Sequence, residues 1–521
     1  MSFSLSRPRK TGRRSRSLKS AGMESLEQRR LLSVSIINRV LTIIGTTGND
    51  TILVQYNSFY PGDTEVIFNG SPTYHTAANY DTILVDAGAG HDNVGHGDVP
   101  SATIIGGSGN DTLNGSNAAD TISGGADNDV IDGDTQSGNG TAAADSIEGG
   151  DGNDSIVGTG ANDSIYGGNG NDTLDGESGS DLLYGGANAD TVSYASRPAA
   201  VFVTIDANAV DGELNENDLV ATDVEGVIGG SAGDTISAAG VTNSVTLTGG
   251  GGNDVITGGS GADVLYGGTA NDTLNGGNGN DALYGEAGHD SLVGDDGNDS
   301  LFGATGNDHF VGGVGLDRVD FTGITANIAI SYDGATNDGP AGEFDNIDLT
   351  TDMVISGSGD DTLDASGAST TVYLYGMDGD DTLTGGAAAT YLDGGADVDS
   401  IVGGTGAETI VGYTGNDSLY GGSGNDFIEG RDGNDTINGA DGNDSIHGDA
   451  GNDALSGGNG NDTLRGGTGA DAISGNGNND LIYSDGDATA DTFSGGGGAD
   501  TAYYESAWDS PTDIIEYPFP V

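Results

Sequence analysis

Aspartate returns at every ninth residue along most of this chain, and that period limits what it can fold into. One run holds Asp417, Asp426, Asp435, Asp444, Asp453, Asp462, Asp471 and Asp480, and another holds Asp254, Asp263, Asp272, Asp281, Asp290, Asp299, Asp308 and Asp317. A third holds Asp145, Asp154, Asp163, Asp172, Asp181 and Asp190, and a short one holds Asp111, Asp120 and Asp129. Counting back from Asp417, Asp399 and Asp381 stay in register, and Asp361 precedes Asp381 by a slightly longer double step. Around each the text reads close to Gly-Gly-x-Gly-Asn-Asp-x-Leu-x, as in Gly421 to Glu429, and an apolar side chain follows two positions after the Asp. A short fixed period is the mark of a solenoid. The x-Leu-x triplet suits a very short strand, its central side chain inward and its neighbours outward. The six Gly- and Asn-Asp-rich residues suit a tight turn with positive φ at several positions. One strand and one turn cannot close a circuit. Two units, 18 residues, make a flattened coil with a strand on each side. Stacking those coils gives two parallel sheets around a thin core of Leu and Ile.

Composition agrees with a solenoid and excludes several alternatives. Of 521 residues 98 are Gly, only 34% are hydrophobic and one is Trp, so a conventional layered core is hard to build. There is no Cys, hence no disulfide framework and no thiolate metal site. The 81 Asp and Glu against 14 Lys and Arg give a net charge of −67, which argues against nucleic acid as a partner. No apolar run approaches ~18 residues, so no membrane-spanning helix is expected.

The carboxylates point to a cation. In such a stack, equivalent Asp residues of successive coils lie about one strand spacing apart, ~4.8 Å. Like charges at that distance repel by roughly 1 kcal/mol in water and several-fold more at lower effective dielectric. A column of them needs cations between. Gly-rich turns add peptide carbonyls, and hard oxygen ligands on a flexible loop favour Ca²⁺ over Mg²⁺, which demands tighter octahedral geometry. Nothing soft is present for Zn²⁺. One divalent ion per slot would nearly neutralise the repeats, and without metal the chain should expand.

The nonapeptide Gly-Gly-x-Gly-x-Asp-x-U-x, with U apolar, resembles the RTX (haemolysin-type) calcium-binding repeat over most of residues 105–500. The resemblance implies an all-β, right-handed parallel β-roll with calcium between successive turns, folding after export into a calcium-rich medium. It further implies that the ligands are the slot aspartates and carbonyls of the preceding turns, here Gly415, Gly421, Gly422, Gly424, Gly433, Gly442, Gly451 and Gly460. Thr390 and Glu408 depart from the pattern while Leu392 and Ile410 keep the inward column, so the coil should continue there with weaker or absent metal. Asn478 replaces a turn glycine ahead of Asp480, so that loop departs from the pattern.

A second, much longer period overlies the first: the step from Asp190 to Asp234 equals that from Asp317 to Asp361, and the steps that follow, to Asp254 and Asp381, are equal as well. The expected organisation is a basic targeting segment at 1–33, an N-terminal β cap with degenerate repeats at 34–104, and roll blocks at 105–190, 254–317 and 381–501. Interruptions with longer strands fill 191–253 and 318–380, and a C-terminal cap or tail fills 502–521. Within the interruptions, Glu216 and Asp218 match Glu343 and Asp345, reading as solvated loops, with an accessory ion site as the sharper alternative. Residues 1–40 hold ten of the 14 basic residues, and Glu24 to Ser33 is similar to the L-E-x-R-x-L-L-S sorting segment of large exported bacterial proteins.

Catalytic patterns are absent. No His-Glu-x-x-His occurs, and Gly229 to Gly233 matches Gly-x-Ser-x-Gly only as 98 glycines would by chance. The expected function is therefore calcium binding by an exported structural, adhesive or cell-surface protein, secreted or at the surface of a bacterium. A surface polysaccharide or matrix neighbours are the expected partners, met by outward tyrosines (Tyr166, Tyr184, Tyr266, Tyr284, Tyr420). The alternative is a secreted polysaccharide-modifying enzyme (an epimerase or lyase) or a cytolytic RTX protein that uses the roll as a binding module.

Overall fold

The computed structural model describes residues 33–37, 39–56, 63–76, 80–97, 100–134, 142–484, 491–504 and 514–516. The sorting segment and most of the expected C-terminal tail lie outside them. The described chain is an all-β, right-handed parallel solenoid. Strand Ser418–Ser423 pairs with Thr436–Asp441 and that with Ala454–Asn459, in the register Leu419↔Ile437↔Leu455, so each coil advances by two nonapeptides. The expected triplet lengthens to six residues in most coils, because the positions after it keep extended pairing, as in Gly422↔Ala440.

The two sides of the roll differ. On one side a single ladder runs unbroken from Ser71–Thr76 to Thr501–Tyr504, and its two end strands do not pair with each other. On the other side three successive sheets of nine, eight and 11 strands take turns. The hand-overs fall in the interruptions. Between Thr191–Ser193 and Gly226–Ile228, neighbours on the unbroken side, the chain lays down Val201–Thr204, Gly212–Glu213 and Leu219–Val220 on the other. Leu219–Val220 completes the first sheet against Leu182–Ala187, whereas Val201–Thr204 founds the second beneath Thr235–Ser237. Ile328–Ser331, Gly339–Pro340 and Asn346–Ile347 repeat the manoeuvre one long period later. The longer strands expected in the interruptions, Val201–Thr204 and Ile328–Ser331, run to only four residues, since the triplets Thr235–Ser237 and Thr362–Asp364 that they pair with are short.

The core is one residue wide on each side. Leu419, Ile428, Ile437 and Ile446 are at most 1% exposed, and the column continues through Leu392 and Ile410. Each such side chain contributes about 1.5–3 kcal/mol of burial, repeated coil after coil. Both sides start on antiparallel strands, Ser33–Ile37 with Val40–Ile44 and Asp63–Phe68 between Thr51–Tyr56 and Ser71–Thr76. Among the described residues no helix is long and apolar enough to cross a membrane.

Candidate metal centre

The slot aspartates point inward. Each one named from the nine-residue spacing is at most 4% exposed. They form two columns, one ahead of the strands of each side, and within a column each carboxylate reaches back to the coil before it. The Asp426 N–H donates to Asp444 Oδ1 at 2.9 Å, Asp444 N–H to Asp462 Oδ1 at 2.9 Å, and Asp462 N–H to Asp480 Oδ1 at 2.9 Å. The other column repeats this through Asp399, Asp417, Asp435 and Asp453.

That bond uses one oxygen. The second, Oδ2, is buried without a hydrogen-bond partner at Asp417, Asp426, Asp435, Asp444, Asp453, Asp462 and Asp480, and equally at Asp254, Asp272, Asp281, Asp290 and Asp299. Buried polar atoms are ordinarily satisfied, so a column of orphaned oxygens calls for a ligand. Glycine makes the space. A Cβ on Gly421 would lie 2.5 Å from Asp426 Oδ2 and 2.8 Å from the Gly439 carbonyl oxygen of the next coil. A carboxylate and a carbonyl oxygen therefore converge beside this first glycine, as they do at Gly430, Gly439, Gly448 and Gly457, and any side chain there would fill the space. The fourth residue of the turn serves coil approach instead: Gly424 has φ 144° and its missing Cβ would strike the Gly406 carbonyl.

Burial sets the electrostatics. It pushes Asp453 up to about 7, with Asp471 and Asp435 adding repulsion, and likewise Asp272 and Asp299 to about 7 and Asp399 to about 8. Counter-charge must come as protons or as cations. The donor set, anionic oxygen plus peptide carbonyl, fits a hard cation such as Ca²⁺. Among the described residues no three His, Asp or Glu side chains gather in one place that could hold a metal. The donors that converge are one carboxylate oxygen and peptide carbonyls, not a carboxylate cage.

The departures keep the coil. Thr390 and Glu408 occupy slots, 3% and 1% exposed, with Thr390 Oγ1 and both Glu408 carboxylate oxygens unpartnered. Two slots on that column are apolar. Val245, 2% exposed, receives Asp263 Oδ1 at its N–H, and Val372 stands beneath Tyr391. Asn478 adopts φ 77°, which asparagine tolerates better than other residues, and Asp480 stays buried beneath it.

Several buried carboxylates escaped the nine-residue ruler. Asp50 and Asp92 extend one column into the cap, the Asp50 N–H donating to Asp92 Oδ1 and the Asp92 N–H to Asp111 Oδ1 at 2.8 Å. Asp218 and Asp345, read as loop residues, end the other column: the Asp181 N–H donates to Asp218 Oδ1 at 2.9 Å and the Asp308 N–H to Asp345 Oδ1 at 2.7 Å. They stand 37 residues on, not 18, because the founding strand of the next sheet is inserted between. The longer period, which pairs Asp218 with Asp345, was the available signal.

The outward tyrosines divide between the two sides. Tyr166, Tyr184 and Tyr420 lie on the segmented side, and Tyr266 and Tyr284 on the unbroken one. Rings of successive coils stack face to face, Tyr266 on Tyr284 at 4.9 Å and Tyr284 on Phe302 at 4.6 Å.

Comparison with known proteins returns one family. The RTX calcium-binding nonapeptide repeat (4 copies) matches residues 105–138, 139–174, 157–192, 248–283, 257–292, 284–319, 373–401, 402–437, 420–455, 429–464, 456–489 and 485–503, more than half of the chain. No curated protein matches the chain.

Proposed function

Because this chain belongs to the RTX calcium-binding nonapeptide repeat family, we propose that its roll is an exported scaffold that folds on calcium and serves a structural or adhesive role at a bacterial surface. The family is a calcium-binding structural one, not a catalytic one. The observation that carries the reading is the run of buried Oδ2 atoms without partners, beside glycine-lined spaces that a next-coil carbonyl borders throughout the last block from Asp417 to Asp462. In this reading the ion supplies the positive charge that the chain lacks. The residues do the rest: Oδ1 fixes the coil register through the amide of the coil before, Oδ2 and the carbonyls face the ion, and glycine keeps the site open.

The test is far-UV circular dichroism of the full chain during a calcium titration, with magnesium in parallel. A cooperative gain of β structure with Ca²⁺ and not with Mg²⁺ is expected. A chain already β-rich in chelator would remove calcium from its folding.

For the adhesive role, the stacked rings offer edges and hydroxyls, since their faces are occupied by neighbours. A polysaccharide would thus be held by hydrogen bonds to ring edges together with Thr and Ser hydroxyls of the outward positions. Retention of the calcium-loaded protein on a glycan array, lost with Tyr266→Ala and Tyr284→Ala, is the expected result. No retention on any glycan would leave a purely structural scaffold.

A further inference from the structure

We infer that each of the two junctions between roll blocks holds a cation site in which a last slot aspartate is completed from outside the nonapeptide, one from Asp190, Glu225 and the Asp223 carbonyl, the other from Asp317, Asp352 and the Thr350 carbonyl. The inference rests on the reading that the regular slots take calcium, and adds to two slot aspartates the residues Asp223, Glu225, Thr350 and Asp352, which the family match leaves out: matching stops at 192 and 319 and resumes at 248 and 373.

The geometry repeats that of the slots with different residues. The Asp190 N–H donates to Glu225 Oε2 at 3.1 Å, and the Asp317 N–H to Asp352 Oδ2 at 3.1 Å, the bond that a next-coil slot aspartate would otherwise accept. Asp190 and Asp317 are fully buried, and the Oδ2 of each has no partner. The glycine-lined space is present as well. A Cβ on Gly185 would lie 2.6 Å from Asp190 Oδ2 and 2.5 Å from the Asp223 carbonyl oxygen. On Gly312 it would lie 2.8 Å from Asp317 Oδ2 and 3.0 Å from the Thr350 carbonyl oxygen. In the regular roll a glycine carbonyl closes that space, as Gly185 does for Asp172.

Two features make this more than a pair of acids. The arrangement occurs twice, once in each long period, with Glu225 in one copy and Asp352 in the other, so the chain keeps a carboxylate while changing its length. In both copies the column then reaches a residue that offers no carboxylate, Val245 after the first and Val372 after the second. Glu225 and Asp352 are the last anionic ligands before each break. The ions they hold terminate one block's ion column and tie the junction to that block.

The experiment is hydrogen exchange by mass spectrometry on the full-length protein across a calcium titration, comparing the native chain with Glu225→Gln and Asp352→Asn. Each amide oxygen still accepts the Asp190 or Asp317 N–H, so only the charge is lost. Loss of one anionic ligand should raise the calcium midpoint for protection of Gly226–Ile228 or Met353–Ile355 about tenfold. The midpoint of Ser418–Ser423 through Thr463–Thr468 should stay in place. Glu225→Asp, which restores the charge, should return most of the shift. Unchanged junction midpoints in both variants, with the last block still responding to calcium, would overturn these sites alone. A last block that gains no protection with calcium would overturn them together with the reading that the regular slots take calcium.

Discussion

The two junctions solve one electrostatic problem with different residues. In the first, Arg197 lies with its side chain 8% exposed, its Nη1 3.4 Å from Glu216 Oε1 and its guanidinium 5.9 Å from the centre of the Tyr194 ring. The Tyr194 hydroxyl donates to Asp218 Oδ2 at 3.2 Å. At the equivalent positions of the second, Ile324 stands for Arg197 and Phe321 for Tyr194, yet Glu343, Asp345 and Asp338 are all retained. Burial pushes Asp218 up to about 7, with Glu216 adding repulsion and the Asp181 N–H, Tyr194 and Arg197 holding it down. It pushes Asp345 up to about 8, with Asp308, Glu343 and Asp338 adding to it. The hand-over of strands fixes where the acids sit, because each must reach the amide of the coil before it. The source of the compensating charge is free to differ.

Removing calcium should produce the largest effect and test whether the comparison holds inside the folded protein. In chelator the regular blocks and the second junction should lose protection together, whereas strands around Leu219–Val220 should keep more of theirs for a given loss elsewhere. Hydrogen exchange during stepwise chelation reads this directly. Simultaneous loss at both junctions would mean that Arg197 compensates nothing that calcium does not.

Arg197→Ile makes the first junction resemble the second. Breaking a buried ion pair from one side leaves an uncompensated charge and costs about 3 kcal/mol or more. We expect the calcium midpoint at the first junction to rise to that of the second, and the calcium-free protein to lose its residual protection there. An unchanged midpoint would show that Glu216 and Asp218 never needed the guanidinium.

How much of this was legible beforehand follows from where the ruler holds. Where slots are nine residues apart, sequence sufficed for the coil, the inward Leu and Ile column and the stacking of Asp into columns, since period alone decides which side chains meet; the burial of those carboxylates it did not give. It failed at 37-residue steps such as Asp181 to Asp218, where an inserted strand hides the register, and at Glu225, whose carboxylate replaces an aspartate without any motif. It also grouped tyrosines by repeat position alone. Tyr266 and Tyr420 hold the same place in their nonapeptides, but an odd or even count of repeats sends them to opposite sides of the roll. Periodicity fixes neighbours along a column and says less about which column.

Protons should be able to stand in for either cation, which gives a smaller and graded effect. A carboxylate with a raised folded-state pKa favours the fold while protonated. That contribution is complete below its unfolded value of about 3.9, and is lost as pH rises through the folded value, about 7 for Asp218 and about 8 for Asp345. In chelator, acidification from pH 8 toward 5 should therefore restore protection at both junctions. In calcium the same acidification should raise the midpoint, because proton and ion compete. Protection in chelator that falls with acidification would break the account of both junctions at once.

The finest distinction between the junctions is one hydroxyl. Tyr194→Phe installs the second junction's residue and removes the hydrogen bond to Asp218 while leaving Arg197 in place. A hydrogen bond to a charged group is worth about 1.5 kcal/mol at the low end, so the change should be detectable but half or less of that for Arg197→Ile. Its signature is in the pH response more than in stability. The hydroxyl stabilises the ionised Asp218, so its loss pushes that carboxyl further up, and the acid-induced recovery in chelator should begin at a higher pH at the first junction. The second junction, which has phenylalanine already, should not move. A variant that loses stability with no displacement of the pH response would mean that the hydroxyl serves packing around the Tyr194 ring, and that Arg197 alone separates the two junctions.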